Sequence, residues 1–281
     1  MTTTPTADPV QSDAWNGSLG RHWAAHQDRY DAMLAGVNDA LFEGAAIGER
    51  DRVLDVGCGA GATTRIAARL APHGHAVGID ISAPLLERAR ASTSAESITN
   101  AVYELADAQL HTFPPAGYDV VISRGGVMFF ADHAAALANL ARALRPGGRL
   151  AFICPQPTGP DSEESKAFSL FTKLLEEQDG PLRPAPETVA AHVAMASLSD
   201  PARIREVLGA YDDVTVTPVP VETVWGRDAA DTVDFVLSRT PDRRVSAASR
   251  AALEDALRPY ETETGVRLRA GVWLVTAVRP Q

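Results

Sequence analysis

"RVLDVGCGAGATTR", residues 52–65, runs from apolar residues into a cluster of glycines and out into a helix-forming stretch. A first β-strand reads this way when it ends in a tight turn that lets a ligand approach the backbone closely. Gly57, Gly59 and Gly61 give a G-x-G-x-G spacing, and Gly57, Gly59 and Ala62 also fit the dinucleotide fingerprint G-x-G-x-x-G/A. Asp80 follows roughly 20 residues later, the distance at which an acid meets a ribose, and closes a second strand pattern, "HAVGIDI". A carboxylate in that place accepts hydrogen bonds from both hydroxyls of a ribose diol. Loop and acid together predict an adenosine-type ligand. They leave open whether it carries a pyrophosphate or no phosphate at all.

Outward from the loop, strand and helix patterns alternate. "AVYELAD" (101–107), "YDVVISR" (118–124) and "RLAFICP" (149–155) read as strands three to five, and "RPGG" (145–148) stops the helix before the fifth. Helices are expected from about 63 to 70, 84 to 91 and 132 to 144. Such alternation implies a parallel sheet covered on both faces. Before it, Trp23, Tyr30, Met33, Leu34, Val37, Leu41 and Phe42 recur at three- and four-residue steps, as helices do. After it, "PQPTGPD" (155–161) breaks the rhythm, and Asp161 with Glu164 resembles a capping box. Helices then follow near 162–179 and 187–198, and Asp200-Pro201 begins another. "VTVTPVPVETV" (214–224) alternates like a strand whose prolines confine it to an edge. Two helices, near 228–239 and 245–259, precede a final strand, "GVWLVTAV" (271–278). The expected fold is α/β: a Rossmann-like, doubly wound, seven-stranded and mostly parallel sheet with an antiparallel last strand, N-terminal helices and a helical lid insert. The expected organisation is a flexible tail (1–14), a cofactor-binding core with N-terminal helices (15–155), a helical lid or acceptor insert (156–212), and the rest of the sheet and helices (213–281).

The formal charge of −10 argues against nucleic acid as a partner, because phosphate backbones need a clustered basic surface. Two cysteines in 281 residues, Cys58 and Cys154, make no disulfide framework and fit a reducing cytoplasm. "MTTTPTADPV" lacks the basic and apolar regions of a signal peptide, and no apolar run reaches the roughly 18 residues that span a membrane.

Three features choose the ligand. Asp55, inside the strand before the glycines, is costly to bury unpaired. It suits a cationic ammonium and sulfonium better than an anionic pyrophosphate. In "ELADAQ" (104–109), Asp107 falls where a carboxylate can accept from an adenine amino group, and the next backbone N–H can donate to a ring nitrogen. Finally, the pattern after strand five suits an antiparallel hairpin rather than a second dinucleotide-binding half. S-adenosyl-L-methionine is thus favoured over NAD.

With these residues in view, "VLDVGCGAGATT", "AVGIDIS", "ADAQ", "YDVVISR" and "LRPGGRLAF" resemble the successive motifs of class I S-adenosylmethionine-dependent methyltransferases. "WNGSLGRHWAAHQDRYDAML" and "GVMFFAD" are similar to the type 11/25 small-molecule enzymes of actinobacteria. The resemblance implies that Gly57, Gly59 and Gly61 pass close to the methionine part, that Asp55 orients it, and that Ser123 lies near it. It implies that Asp80 holds the ribose, Ile81 packs on adenine, and Asp107 and Ala108 read the adenine edge. It places Trp23 and Tyr30 over the cofactor. Gly125 in "SRGGVMFF" and the "CPQPTG" turn depart from the subgroup on the acceptor side.

The expected reaction is in-line methyl transfer to an O, N or C nucleophile of a small molecule, in secondary metabolism. Residues 156 to about 200 are expected to close over the methyl group, with Phe168, Phe171, His192 and Met195 among the lining. His192 is the candidate base. His22 and His26 sit one helical turn apart, but no third ligand accompanies them and no metal site is expected. Two alternatives share these patterns: a protein of the same fold that promotes a rearrangement or cyclisation without methyl transfer, and an NAD-dependent oxidoreductase. The second lacks a Tyr-x-x-x-Lys pair, since Lys166 and Lys173 are the only lysines. Nothing in the sequence speaks to oligomeric state.

Overall fold

The computed structural model describes residues 9–157, 162–181, 186–240 and 243–281. β1 (Arg52–Val56), β2 (His75–Asp80), β3 (Ala101–Leu105), β4 (Tyr118–Arg124) and β5 (Leu144–Pro155) form the parallel part of one sheet. β6 (Asp212–Gly226), β7 (Glu261–Thr262) and β8 (Gly265–Val278) complete it. The order is β3-β2-β1-β4-β5-β8-β6, with β7 paired to β8. β8 runs antiparallel to β5, β6 and β7. The sheet therefore has eight strands where seven were expected, because "ET" at 261–262 folds back on the start of β8. β8 also begins at Gly265, before the "GVWLVTAV" run, since its first residues pair along β6. Pro218 and Pro220 lie on β6 at the sheet edge, where a missing N–H costs no ladder bond.

Helices α1 (Pro9–Asn16), α2 (Ser18–Ala25), α3 (Gln27–Leu34) and α4 (Asn38–Ala45) precede the sheet. Residues 1–8 of the expected tail lie outside the described residues, and Pro9–Asn16 is helical rather than a tail. Its end is tied down at long range. Asn16 Nδ2 donates to Ile81 O at 2.9 Å, Asn16 Oδ1 accepts from Ala83 N at 3.0 Å, and Ser82 Oγ donates to Trp15 O at 2.6 Å. α5 (Ala62–Leu70), α6 (Ala83–Ala95) and α7 (His133–Ala143) are the crossover helices. α8 (Glu163–Asp179), α9 (Pro186–Ser197) and α10 (Pro201–Val207) form the insert, and α11 (Ala229–Ser238) and α12 (Ala247–Leu257) lie between β6 and β7. Asp161 falls outside the described residues. The N-cap of α8 is Ser162, accepting from Ser165 N, and Asp200 caps α10 as expected.

The core divides into three clusters. One packs α7 and α10 against one face of the sheet, through Leu137, Leu140, Phe152, Ile204 and Val275. A second packs α4 and α5 on the opposite face, through Leu41, Val53, Ala67 and Ile122. The third gathers where the end of β6 meets the start of β8, and there Phe171 and Leu175 of α8 meet Trp225, Val233, Leu253 and Leu268. Tyr30 and Met33 of α3 belong to it. The insert is thereby split. α8 is committed to the third cluster, while Met195 of α9 leans on the first.

Candidate functional site

β1 delivers the glycines to the carboxyl edge of the sheet, beside the point where strand order turns back on itself, which is where ligands of open α/β sheets bind. The turn is held from below: Gly57 N and Cys58 N both donate to Ile79 O, at 2.9 and 3.2 Å. Gly57 has φ +65°, and a Cβ there would stand 2.6 Å from Gly126 Cα, so this position admits only glycine. Over Gly59 a Cβ would meet nothing within 4 Å, which leaves the turn open on its ligand side.

Asp55 is fully buried beneath the turn. Its Oδ2 accepts from Thr63 Oγ1 at 2.7 Å and Thr64 Oγ1 at 2.6 Å, while Oδ1 is buried with no partner. Burial pushes its carboxyl up to about 6 against the two hydroxyls that favour the anion. Asp80, at the end of β2, is half-buried. Its Oδ2 accepts from Gly59 N and its Oδ1 from Ser82 N, both at 2.8 Å. Burial raises its pKa, and the backbone N–H groups of Gly59, Ser82 and Ile81 oppose that rise.

The N-terminal helices lie across the turn. Trp23 stacks on Tyr30 with ring centroids 3.5 Å apart, and Trp15 meets Trp23 edge-on. Below them Arg124, at the end of β4, donates to Asn38 Oδ1 at 2.9 Å and pairs with Asp31 at 3.2 Å. Gln27 Oε1 accepts from Arg88 Nε at 2.8 Å, pinning α3 to α6. Between these helices and the glycines lies a small cleft, lined among others by Trp23, Tyr30, Asp31, Gly57, Gly59 and Arg124.

The cleft therefore unites Gly57, Gly59, Trp23 and Tyr30 of the expected residues. Asp55 lies beneath it and Asp80 at its side. Gly61, the N-cap of α5, is kept bare by the ring of Tyr103 rather than by a ligand space. Ser123 is fully buried: it donates to Val56 O at 2.6 Å and accepts from Gly126 N at 3.1 Å. It thus fixes the backbone that meets Gly57. Ile81 carries the Asn16 clamp on its carbonyl, Asp107 Oδ1 accepts from Gln109 N at 2.9 Å, and Ala108 is buried in the first core cluster. None of Ile81, Asp107, Ala108 or Ser123 lines the cleft. Phe168 and Phe171 pack with Trp225, whereas Met195 sits on a different cluster, so the four expected lining residues of the insert do not converge. His192 is exposed, its Nδ1 2.8 Å from Thr188 O of its own helix.

Arg124, Asp31 and Gln27 were not anticipated. Trp23, Gln27, Tyr30 and Leu34 recur at helical spacing, and that mixed apolar and polar stripe was the available sign. His22 and His26 stack at 4.2 Å. Ser238 Oγ donates to Phe235 O, which leaves it to accept from His22 Nε2 at 2.9 Å, and His22 Nδ1 then faces the Tyr30 hydroxyl at 3.2 Å. Burial, with the charges of His26 and Arg239, pushes His22 down to about 4. Among the described residues no three His, Cys, Asp or Glu side chains group as a metal site, and no helix is long and apolar enough to cross a membrane.

The two shifted groups act in opposite directions. Asp55 binds its proton more tightly folded than unfolded, so its contribution is favourable at low pH and is lost as pH rises through about 6. At neutral pH its ionisation costs on the order of 3 kcal/mol. His22 is held neutral, so stability falls as pH drops below its ordinary value toward about 4. Asp55→Asn is expected to raise the melting temperature more at pH 7.5 than at pH 5, and His22→Phe more at pH 5. Melting curves at the two pH values check this, and pH-independent shifts would exclude it.

A methyltransferase-domain family profile matches residues 53–148. The chain is 37% identical to nocamycin O-methyltransferase of Saccharothrix syringae over 155 residues, which cover 52% of this chain and 51% of that protein. It therefore spans about half the length of that relative. It is 31% identical to the demethylmenaquinone methyltransferase of Thermus thermophilus, over 52% of this chain and 70% of that protein. Its fold is similar to phosphoethanolamine N-methyltransferase 2 of Haemonchus contortus in complex with S-adenosyl-L-methionine. The TM-score is 0.58 and the identity 17%, covering 98% of this chain and 61% of that one. With the glycine turn, the acid after β2, the strand order and these relatives in agreement, the chain belongs to the class I S-adenosylmethionine-dependent methyltransferases.

Proposed function

We propose that this protein transfers a methyl group to a small-molecule acceptor in secondary metabolism. The observation that carries this reading is the cleft in which an open glycine turn, flanked by Asp80, faces the Trp23–Tyr30 stack.

The residues present fit S-adenosylmethionine. The free space over Gly59 supports a ligand lying against the backbone, and Asp80, bonded to Gly59 N beside that space, is the candidate partner of a ribose diol. The unpartnered Oδ1 of Asp55 is a buried acceptor beneath the same turn. Trp23 and Tyr30 offer apolar faces from above. The roles carried by Ile81, Asp107 and Ala108 on the adenine side, and by Gly61 and Ser123 in shaping the turn, belong to this proposal. When bound, the cofactor supplies a methyl group on a sulfonium, already a good electrophile. The work left to the protein is to hold a nucleophile in line, about 3 Å from the reacting carbon, and to keep water out. Trp15, Trp23 and Tyr30 exclude water, and Asp31 and Arg124 fix the helix that carries Tyr30. Phe168 and Phe171 support that wall from α8 through Trp225. His192, exposed on its helix, is not assigned a role in proton transfer.

Isothermal calorimetry tests the reading. S-adenosylhomocysteine is expected to bind with micromolar-range affinity, about −8 kcal/mol, and NAD far more weakly. Tight NAD binding without S-adenosylhomocysteine binding would overturn it. Mass spectrometry of acceptors incubated with labelled cofactor separates methyl transfer from a rearrangement on the same fold.

A further inference from the structure

Two opposite charges meet in the cleft. Among the described residues that line it, Asp31 and Arg124 alone are charged. They come from different walls. Arg124 ends β4, next to the strand that delivers the glycines, and Asp31 stands on α3 with Gln27, Tyr30 and Leu34, which line the cleft with it. Arg124 Nη2 donates to Asp31 Oδ1 at 3.2 Å and Nη1 donates to Asn38 Oδ1 at 2.9 Å. Gln27 Nε2 donates to Asp31 Oδ2 at 3.1 Å. A guanidinium has five N–H donors in a planar fork, and a carboxylate has about four acceptor sites. Each partner can therefore take a ligand beyond the contacts it already makes. The Arg124 side chain is only 10% exposed, so its charge acts through little water and at close range.

An α-amino acid presents the complementary pair, a carboxylate and an ammonium on one carbon. We propose that Arg124 and Asp31 together receive the amino-acid end of the cofactor, Arg124 taking its carboxylate and Asp31 its ammonium. The inference rests on the methyl-transfer reading and adds a selection rule to it: the cleft prefers a nucleoside that carries a zwitterion over one that carries a single charge. Asn38 holds one arm of the guanidinium, which keeps the fork oriented for a planar carboxylate when Asp31 turns to the ligand. Gln27 Oε1, bonded to Arg88 Nε, holds α3 to α6 through that exchange. The competing account is that the pair only braces α3 against β4. In that case its loss would affect melting, and would weaken every nucleoside alike.

The test titrates the whole protein calorimetrically with S-adenosylhomocysteine, its decarboxylated analogue and its deaminated analogue. Wild type is expected to bind the parent at least about tenfold more tightly than either analogue, the scale of a hydrogen bond to a charged group. R124Q should erase the preference over the decarboxylated analogue while leaving the affinity of that analogue in place. D31N should do the same for the deaminated analogue. R124K, which keeps the charge without the fork, should retain only part of the carboxylate preference and covers the case in which R124Q does not fold. Equal binding of the three nucleosides by wild type overturns the inference, as does either preference surviving undiminished in its variant. Failure of wild type to bind S-adenosylhomocysteine at all would instead count against the methyl-transfer reading itself.

Discussion

Gly57→Ala is expected to abolish measurable binding of S-adenosylhomocysteine and to lower the melting temperature. The reason is backbone against backbone. The new Cβ would stand 2.6 Å from Gly126 Cα, where no side chain can rotate away, at a φ of +65° that alanine adopts under strain. The left-handed backbone alone costs about 1–3 kcal/mol. Relief of the overlap would shift Gly126, whose N–H donates to Ser123 Oγ, or the turn itself, and a shifted turn no longer presents Gly57 and Gly59 to the cleft as they stand. Gly59→Ala is the control. Its φ is also positive, at +53°, but its Cβ would meet nothing within 4 Å. It should therefore lose binding with a smaller loss of stability. Equal melting shifts for the two variants would contradict the close approach of Gly57 to Gly126.

Asp80→Ala is expected to weaken S-adenosylhomocysteine by about 1.5–3 kcal/mol, the range for hydrogen bonds to a charged group. The carboxylate has two duties. It now ties Gly59 N to Ser82 N, and in the proposed complex it also meets a diol. The fold should survive, since the side chain stands half-buried at a strand end. Asp80→Asn keeps one oxygen for Gly59 N but loses the charge, and should fall between wild type and alanine in a calorimetric titration. Unchanged affinity in Asp80→Ala would reduce the residue to a tie between two loops.

What could be read from the sequence was local. The apolar run of β1, the glycines and Asp80 sit within one strand–turn–helix–strand unit, and their chemistry is fixed by spacing. The prolines of β6 betrayed an edge for the same reason. α1 was missed because its pattern is polar and begins at a proline, while its hold comes from Trp15 and Asn16 reaching residues 65 to 67 positions away. The Arg124–Asp31 pair spans 93 positions and gave no sign in either neighbourhood. The apolar face of α8 was legible, but not its target: Phe171 could have faced the sheet as easily as Trp225. His192 looked inward on a helix whose packing is set by Met195 and Leu198 instead.

The separation of the hydrophobic clusters bears on how such a protein can change over generations. Residues of α8, α11 and α12 share their packing with one another and with α3, and the strands under the glycine turn belong to other clusters. Substitutions at distant sites with no shared partner combine additively. A lineage can therefore repack the surroundings of Trp225 in successive steps without disturbing Leu54, Val56 or Ile79 beneath the turn. Epistasis should concentrate on α3, whose Tyr30 and Asp31 touch both sides.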